Sequence, residues 1–162
     1  MTDGRNVAKI VRNDTGEAEL LVDFLNTFDL EDGTDELADA AGLRRWAAAH
    51  GLVPGDLDET RRTRDALRSL VAGGRPELPP VSLIPSCEDE GVSLRSDTVA
   101  EAALAATVVL SIQGRIGRVK LCQAETCRFA YFDHSRNGSR AWCSMEICGN
   151  RAKARSFRSK QA

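Results

Sequence analysis

Four cysteines carry most of the chemistry this chain could do. Cys122 and Cys127 in LCQAETC, and Cys143 and Cys148 in CSMEICGNR, form two pairs, each with four residues between its partners. Fifteen residues, RFAYFDHSRNGSRAW, separate the pairs. Two thiolates from each of two tight turns are what a tetrahedral structural Zn²⁺ site requires, and a gap of four is the wide end of its usual spacing. A stretch of this size has too little core to fold by itself, and a metal is the common remedy. We therefore expect one structural zinc held by Cys122, Cys127, Cys143 and Cys148. Replacement of one thiolate by His134, or an iron–sulfur centre on the same thiols, are the other arrangements the residues allow. Four thiolates leave no open position for water, so catalytic zinc is not expected. The fifth cysteine, Cys87 in PSCEDE, stands apart from both pairs. An odd count without a secretory segment argues against a disulfide framework.

Basic residues crowd the same region. After Gly149 the chain reads NRAKARSFRSKQA, and in a helix Arg151, Arg155 and Arg158 would form one stripe at i, i+4 and i+7. Lys153 and Lys160 would lie on the far side, with Phe157 free to pack on the zinc module. The connecting loop adds Arg136, Asn137 and Arg140. Guanidinium forks suit phosphate oxygens, and each phosphate they neutralise releases counterions. These residues form the expected nucleic-acid surface. Phe129, Tyr131, Phe132 and Trp142 are spaced like a small core and not like a base-stacking platform, which favours duplex DNA over single strands. Arg128 and Arg151 also sit where they could offset the charge of a zinc–thiolate centre. Gly149 is expected to turn amides toward sulfur, and Asn150 to hold the same turn.

The rest of the chain is built differently. Residues 1–113 hold 11 Lys and Arg against 21 Asp and Glu, a charge of −10; residues 114–162 hold 11 against 3, a charge of +8. An acidic body joined to a basic module points to a polyanionic partner, or to attraction between the two halves. No apolar run reaches the length that crosses a bilayer, and the N-terminal MTDGRNVAKIVRNDTGEAE has no apolar segment of signal-peptide length. A soluble cytoplasmic protein is expected.

The apolar pattern predicts a mainly helical α+β body. Leu20, Leu21, Phe24, Leu25 and Phe28 fall at helical spacing and stop before EDG. TDELADAAGLRRWAAAHGL reads as one or two short helices ended by Gly51. GDLDETRRTRDALRSLVAGG is a helix begun by Asp56 and Glu59, with a stripe of Leu57, Ala66, Leu67, Leu70 and Val71. RPELPP breaks it. VSLIPS and GVSLR alternate across the turn CEDEG as a small β-hairpin. SDTVAEAALAATVVLSIQG is the core helix, capped by Ser96 or Asp97, and GRIGRVKLC leads as a short extended segment into the cysteines. We divide the chain into a helical body, 1–114, and a zinc module ending in a basic helix, 115–162.

The segment RVKLCQAETCRFAYFDHSRNGSRAWCSMEICGNRAKARSFR closely resembles the CGNR zinc finger of bacterial proteins. It shares both cysteine pairs and the run Cys148, Gly149, Asn150, Arg151 followed by basic residues. LLVDFLNTF and LRRWAAAHGL resemble the ABATE domain that usually precedes this finger. The resemblance implies a bacterial transcription regulator, stress-linked, with a DNA-binding finger. On this reading, zinc is structural, duplex DNA is the partner, and the body senses a small-molecule or protein signal or forms a homodimer. A zinc-stabilised adaptor that docks an acidic protein is the competing expectation. No Ser-His-Asp set, phosphate loop or metal–base pair is present, and His50 and His134 are the only histidines. An enzyme is not expected. Asp23 and Asn26, on one polar helix face, are read as an interface or solvated pair.

Overall fold

A computed structural model describes residues 16–88 and 91–159. Residues 1–15 of the N-terminal stretch read for a signal segment, the tip of the CEDEG turn and Lys160 lie outside the described residues. The architecture is α+β. In order it runs α1 (Gly16–Leu25), β1 (Phe28–Asp29), β2 (Thr34–Asp35), α2 (Ala40–Ala49), α3 (Leu57–Val71), β3 (Ile84–Glu88), β4 (Gly91–Arg95) and α4 (Val99–Ile112). A 3₁₀ turn (Ile116–Arg118), β5 (Val119–Leu121), β6 (Ala130–Phe132), a π turn (Met145–Gly149) and α5 (Asn150–Ser159) follow. The strands form three separate antiparallel pairs, β1–β2, β3–β4 and β5–β6.

The centre is α4. Its sequence VAEAALAATVVLSI places alanine on most faces, so neighbouring backbones approach closely and Val99, Leu104 and Leu110 are buried. Its start is Thr98, not Ser96 or Asp97: the Thr98 hydroxyl accepts from the Glu101 amide while the Glu101 carboxylate accepts from Thr98 and Asp97 amides. That reciprocal pair satisfies more of the helix's free amides than either alternative could. α1 and α3 pack on α4, and Leu21, Phe24, Leu25, Leu43, Trp46 and Leu67 complete the core with Leu37.

Two departures from the sequence reading have one cause. α1 ends at Leu25 rather than continuing through Phe28, and Phe28 instead pairs with Asp35 in a two-residue ladder. On α3 the fully buried face is Thr60, Thr63, Arg64 and Leu67, whereas Leu57, Ala66, Leu70 and Val71 are half-buried. Arg64 explains both. Its guanidinium meets Asp35 with two hydrogen bonds of 2.6 and 3.0 Å and lies 5.6 Å over the Phe28 ring. Burial alone would raise Asp35, but the Arg64 hydrogen bonds and the Leu37 amide outweigh it and hold the carboxyl below its ordinary value. A buried cation is tolerated on a helix face only when paired in this way.

The zinc module is not hung from the body on a linker. Val119 and Ala130, in β5 and β6, are buried in the same core as α1 and α4, and Leu121 and Phe132 pack against it. Asn26 makes the join specific. Its side-chain amide donates to the Ala130 carbonyl (3.0 Å) and accepts from the Ala130 amide (2.7 Å), so one side chain acts as a third strand on the edge of β6. Asn26→Ala is expected to lower the unfolding free energy by about 1–3 kcal/mol, since it strands the amide and carbonyl of the buried Ala130. Urea denaturation checks this, and a change within error would show that water replaces the side chain at no cost.

Candidate metal centre

Two different turns close the two cysteine pairs. Cys122 follows β5 and its amide donates to Phe129 (2.8 Å). The chain then folds back, with Cys127 and Arg128 amides both on the Ala124 carbonyl at 3.0 and 3.1 Å. Arg128 takes the left-handed conformation (φ 51°) that this reversal demands. The second pair uses the π turn. The Gly149 amide bonds Ser144 at 3.0 Å, five residues back, and the Ser144 hydroxyl caps the turn at Ile147. The turn carries Cys148 back toward the chain that enters it, 3.8 Å from the Cys143 sulfur.

The four sulfurs converge. Cys127 and Cys143, and Cys143 and Cys148, stand 3.8 Å apart, and all four lie within 4.8 Å of one another. A zinc–sulfur bond of about 2.3 Å makes each edge of a thiolate tetrahedron about 3.8 Å, far longer than a disulfide of about 2.0 Å. The donor set therefore fits zinc. His134 does not belong to it: its exposed ring tilts against Phe132 with centroids 4.9 Å apart. Burial and the Cys122 thiol push Cys148 up to about 11, and burial with the adjoining sulfurs pushes Cys143 up as well. Burial also opposes ionisation of Cys122, but the amides of Cys143 and Ala124 outweigh it and hold that thiol below its ordinary value. When bound, a dication supplies the charge that lets all four shed their protons together.

Around the cluster the expected supporting residues divide. Asn150 holds the π turn, its amide donating to the Glu146 carbonyl at 2.9 Å. Gly149 serves a different purpose from the one its spacing suggests. Its own amide is committed to Ser144, and a Cβ there would lie 3.0 Å from the Met145 sulfur and 3.4 Å from the Trp142 ring. Glycine here leaves room for Met145 and Trp142, and its own amide is not directed at sulfur. Phe157 does not pack on the module either; it is 63% exposed. Of the aromatic residues, Tyr131 and Trp142 pack with the cysteines, Phe132 joins the main core, and Phe129 is exposed.

Asp133 organises the loop between the pairs, and sequence reasoning missed it. It is fully buried. Its carboxylate accepts from Lys120 Nζ at 2.8 Å and from the amides of Ser135 and Arg140, each at 2.9 Å. Burial opposes the charge, but these donors prevail and hold the carboxyl well below the usual range. Lys120 also reaches the carbonyls of Gly138 and Arg140, and Arg118 those of Asp133, Ser135 and Arg136. The signal was available, since Asp133 is one of three acids from Gly114 onward. Arg68 was missed too. It spans from the Leu25 carbonyl at the end of α1 to the Arg128 carbonyl in the first turn. Burial, then repulsion from Arg64 and Arg128, holds its guanidinium below the ordinary value.

The basic residues separate into engaged and free. Arg140 donates to the Cys143 and Trp142 carbonyls at 2.6 and 3.3 Å and lies 5.2 Å over the Tyr131 ring. Arg151 forms a 2.6 Å ion pair with Glu31 of the acidic body. Glu31 chiefly, with the sulfurs of Cys148 and Cys127 behind it, holds that guanidinium above its ordinary value. Arg136, Asn137, Lys153, Arg155 and Arg158 are exposed, and their side chains have no hydrogen-bond or ion-pair partner among the described residues.

Residues 18–124 match the family model ABATE, described as "Putative stress-induced transcription regulator". The chain belongs to the ABATE family. Its residues 118–161 match the CGNR zinc finger, so the ABATE match and the finger overlap in β5 and the first cysteine turn. That overlap is physical, because Val119 serves the ABATE core while Cys122, three residues on, serves the metal cluster. No curated protein matches the chain. No helix among the described residues of this ABATE protein is long and apolar enough to cross a membrane.

Proposed function

We propose that this protein is a regulator that binds duplex DNA through the exposed basic surface of its finger. One observation carries the reading. α5 buries none of its residues, bears no acid, and presents Lys153, Arg155 and Arg158 to solvent without partners among the described residues. A polar, cationic helix held at its root by a metal turn is explained by a partner that supplies anions. Arg136 and Asn137, on the loop fixed by Asp133, would extend the same surface. Arg140 and Arg151 have structural engagements, so their contribution would be to hold the finger's shape. The acidic body would sense or dimerise, and zinc would act as a staple in a binding protein, not an enzyme.

The test is salt dependence. Binding of zinc-loaded protein to mixed-sequence duplex should weaken steeply as salt rises. A variant with Lys153, Arg155 and Arg158 changed to Ala should lose about three phosphate contacts, reducing the log–log slope by about 2.7 and affinity by tenfold or more at low salt. Absence of duplex binding at low salt, or an unchanged slope, rejects the proposal. Phe157 and Ile147, 63% and 54% exposed beside the cations, favour the second reading, an adaptor for an acidic protein. In that case removing Phe157 would weaken partner binding while DNA retention stays absent.

A further inference from the structure

A cleft of about 350 Å³ lies where the end of α3 meets the finger. Val71 and Ala72 form its floor on the body side, and Lys120, Gln123, Arg128, Ser139 and Arg140 line it from the finger. We infer that this cleft is a binding site for a small molecule bearing a phosphate monoester. The inference does not rest on DNA binding.

Charge is the first argument. Lys120 is paired with Asp133 at 2.8 Å, which leaves Arg128 and Arg140 as the two cations in the lining without a carboxylate partner among the described residues. The Arg128 guanidinium has no hydrogen-bond or ion-pair partner among the described residues. Arg140 spends only Nη2 on carbonyls, so its other donors remain for a ligand. Two guanidinium groups with free donors suit a group with several anionic oxygens, and a phosphate monoester, close to −2 near neutral pH, presents three. Guanidinium forks match its oxygens, and the Gln123 side-chain amide and Ser139 hydroxyl, without partners among the described residues, add neutral donors.

Backbone conformation is the second. Arg128 is the one described non-glycine residue with positive φ, a conformation glycine would adopt without strain and other residues hold at a cost. Metal-turn geometry alone would be served better by glycine. Strain of this kind persists where a side chain is needed. A ligand here would touch body and finger together, as an effector of the finger must.

Calorimetric titration of the zinc-loaded full chain with phenyl phosphate, at ionic strength fixed with sodium chloride, tests the site. Saturable one-to-one binding is expected in the wild type and in Arg155→Gln. Arg128→Gly keeps the left-handed turn available, and should weaken binding at least tenfold with zinc content unchanged. Gln123→Glu adds a negative charge from an exposed side chain and should weaken it similarly, whatever the folding of the first variant. Benzoate, a monoanion of similar size, should bind at least tenfold more weakly. No saturable heat, binding by both variants within twofold of wild type, or benzoate binding as tightly as phenyl phosphate would each overturn the inference.

Discussion

Removing zinc, by a strong chelator or by Cys148→Ser, is expected to dissolve the first cysteine turn and the finger beyond β6 while leaving β5, β6 and the helical body folded. The two halves are held by different forces. β5 and β6 bury Val119 and Ala130 in the body's core and are clasped by Asn26, so they survive. The stretch from Gln123 to Ser159 has a much smaller apolar cluster: Ala124 and Tyr131 around the cysteines, with Trp142 beside them. α5 contributes no buried residue. In isolated fingers structural zinc supplies about 10–16 kcal/mol of folding free energy, and nothing else in this segment approaches that. Hydrogen exchange should show protection lost in the first cysteine turn, the π turn and α5, and retained in α1, α3 and α4. The proposed duplex binding should vanish with it. Material holding well under one zinc per chain with α5 still protected would refute the account.

Asp133→Ala is expected to cost about 3–5 kcal/mol, the usual loss when one partner of a buried ion pair is removed. The size of the effect follows from how much converges there. Lys120 would be left half-buried facing only carbonyls, and the amides of Ser135 and Arg140 would lose their acceptor. The loop from His134 to Arg140 would then drift, carrying Arg136 and Asn137 with it. Arg140, which braces the Cys143 carbonyl, would follow, so zinc affinity should fall about 10–100-fold. Asp133→Asn keeps the shape but not the charge, and should fall between. The folded-state carboxyl lies below its ordinary value. Its stabilisation is thus complete above the unfolded pKa of about 3.9 and is lost only as pH falls below that, toward the folded value. The difference between wild type and Asp133→Asn should accordingly be the same at about pH 6 and about pH 8. Zinc competition and denaturation at those two pH values measure both quantities, and a cost under about 1 kcal/mol would remove Asp133 from its organising role.

Much of this protein was legible in its residues one after another. The paired cysteines announced the metal centre, Asp56 and Gly51 marked helix ends, and the alternation around CEDEG marked β3–β4, because each depends on neighbours within a turn or two of chain. The apolar run around Leu104 identified the central helix for the same reason. The long apolar stretch did not reveal its cap, since Ser96, Asp97 and Thr98 are all competent, and only Glu101 reaching back selects Thr98.

What tertiary structure decided is the occupation of polar groups. Arg64, Arg68, Arg140 and Arg151 look alike in sequence to Arg155 and Arg158, yet the first four are spent on Asp35, on carbonyls at Leu25 and Arg128, on Cys143 and on Glu31, and the last two are not. Asn26 and Ala130 are 104 positions apart, and no local pattern could pair them. A side chain's periodicity states which way it faces; its partner is fixed by what distant chain arrives there. Metal spacing and helix capping are short-range and so are written along the chain, whereas the free or engaged state of each arginine is a long-range balance of burial against charge, settled only when body and finger pack into one core.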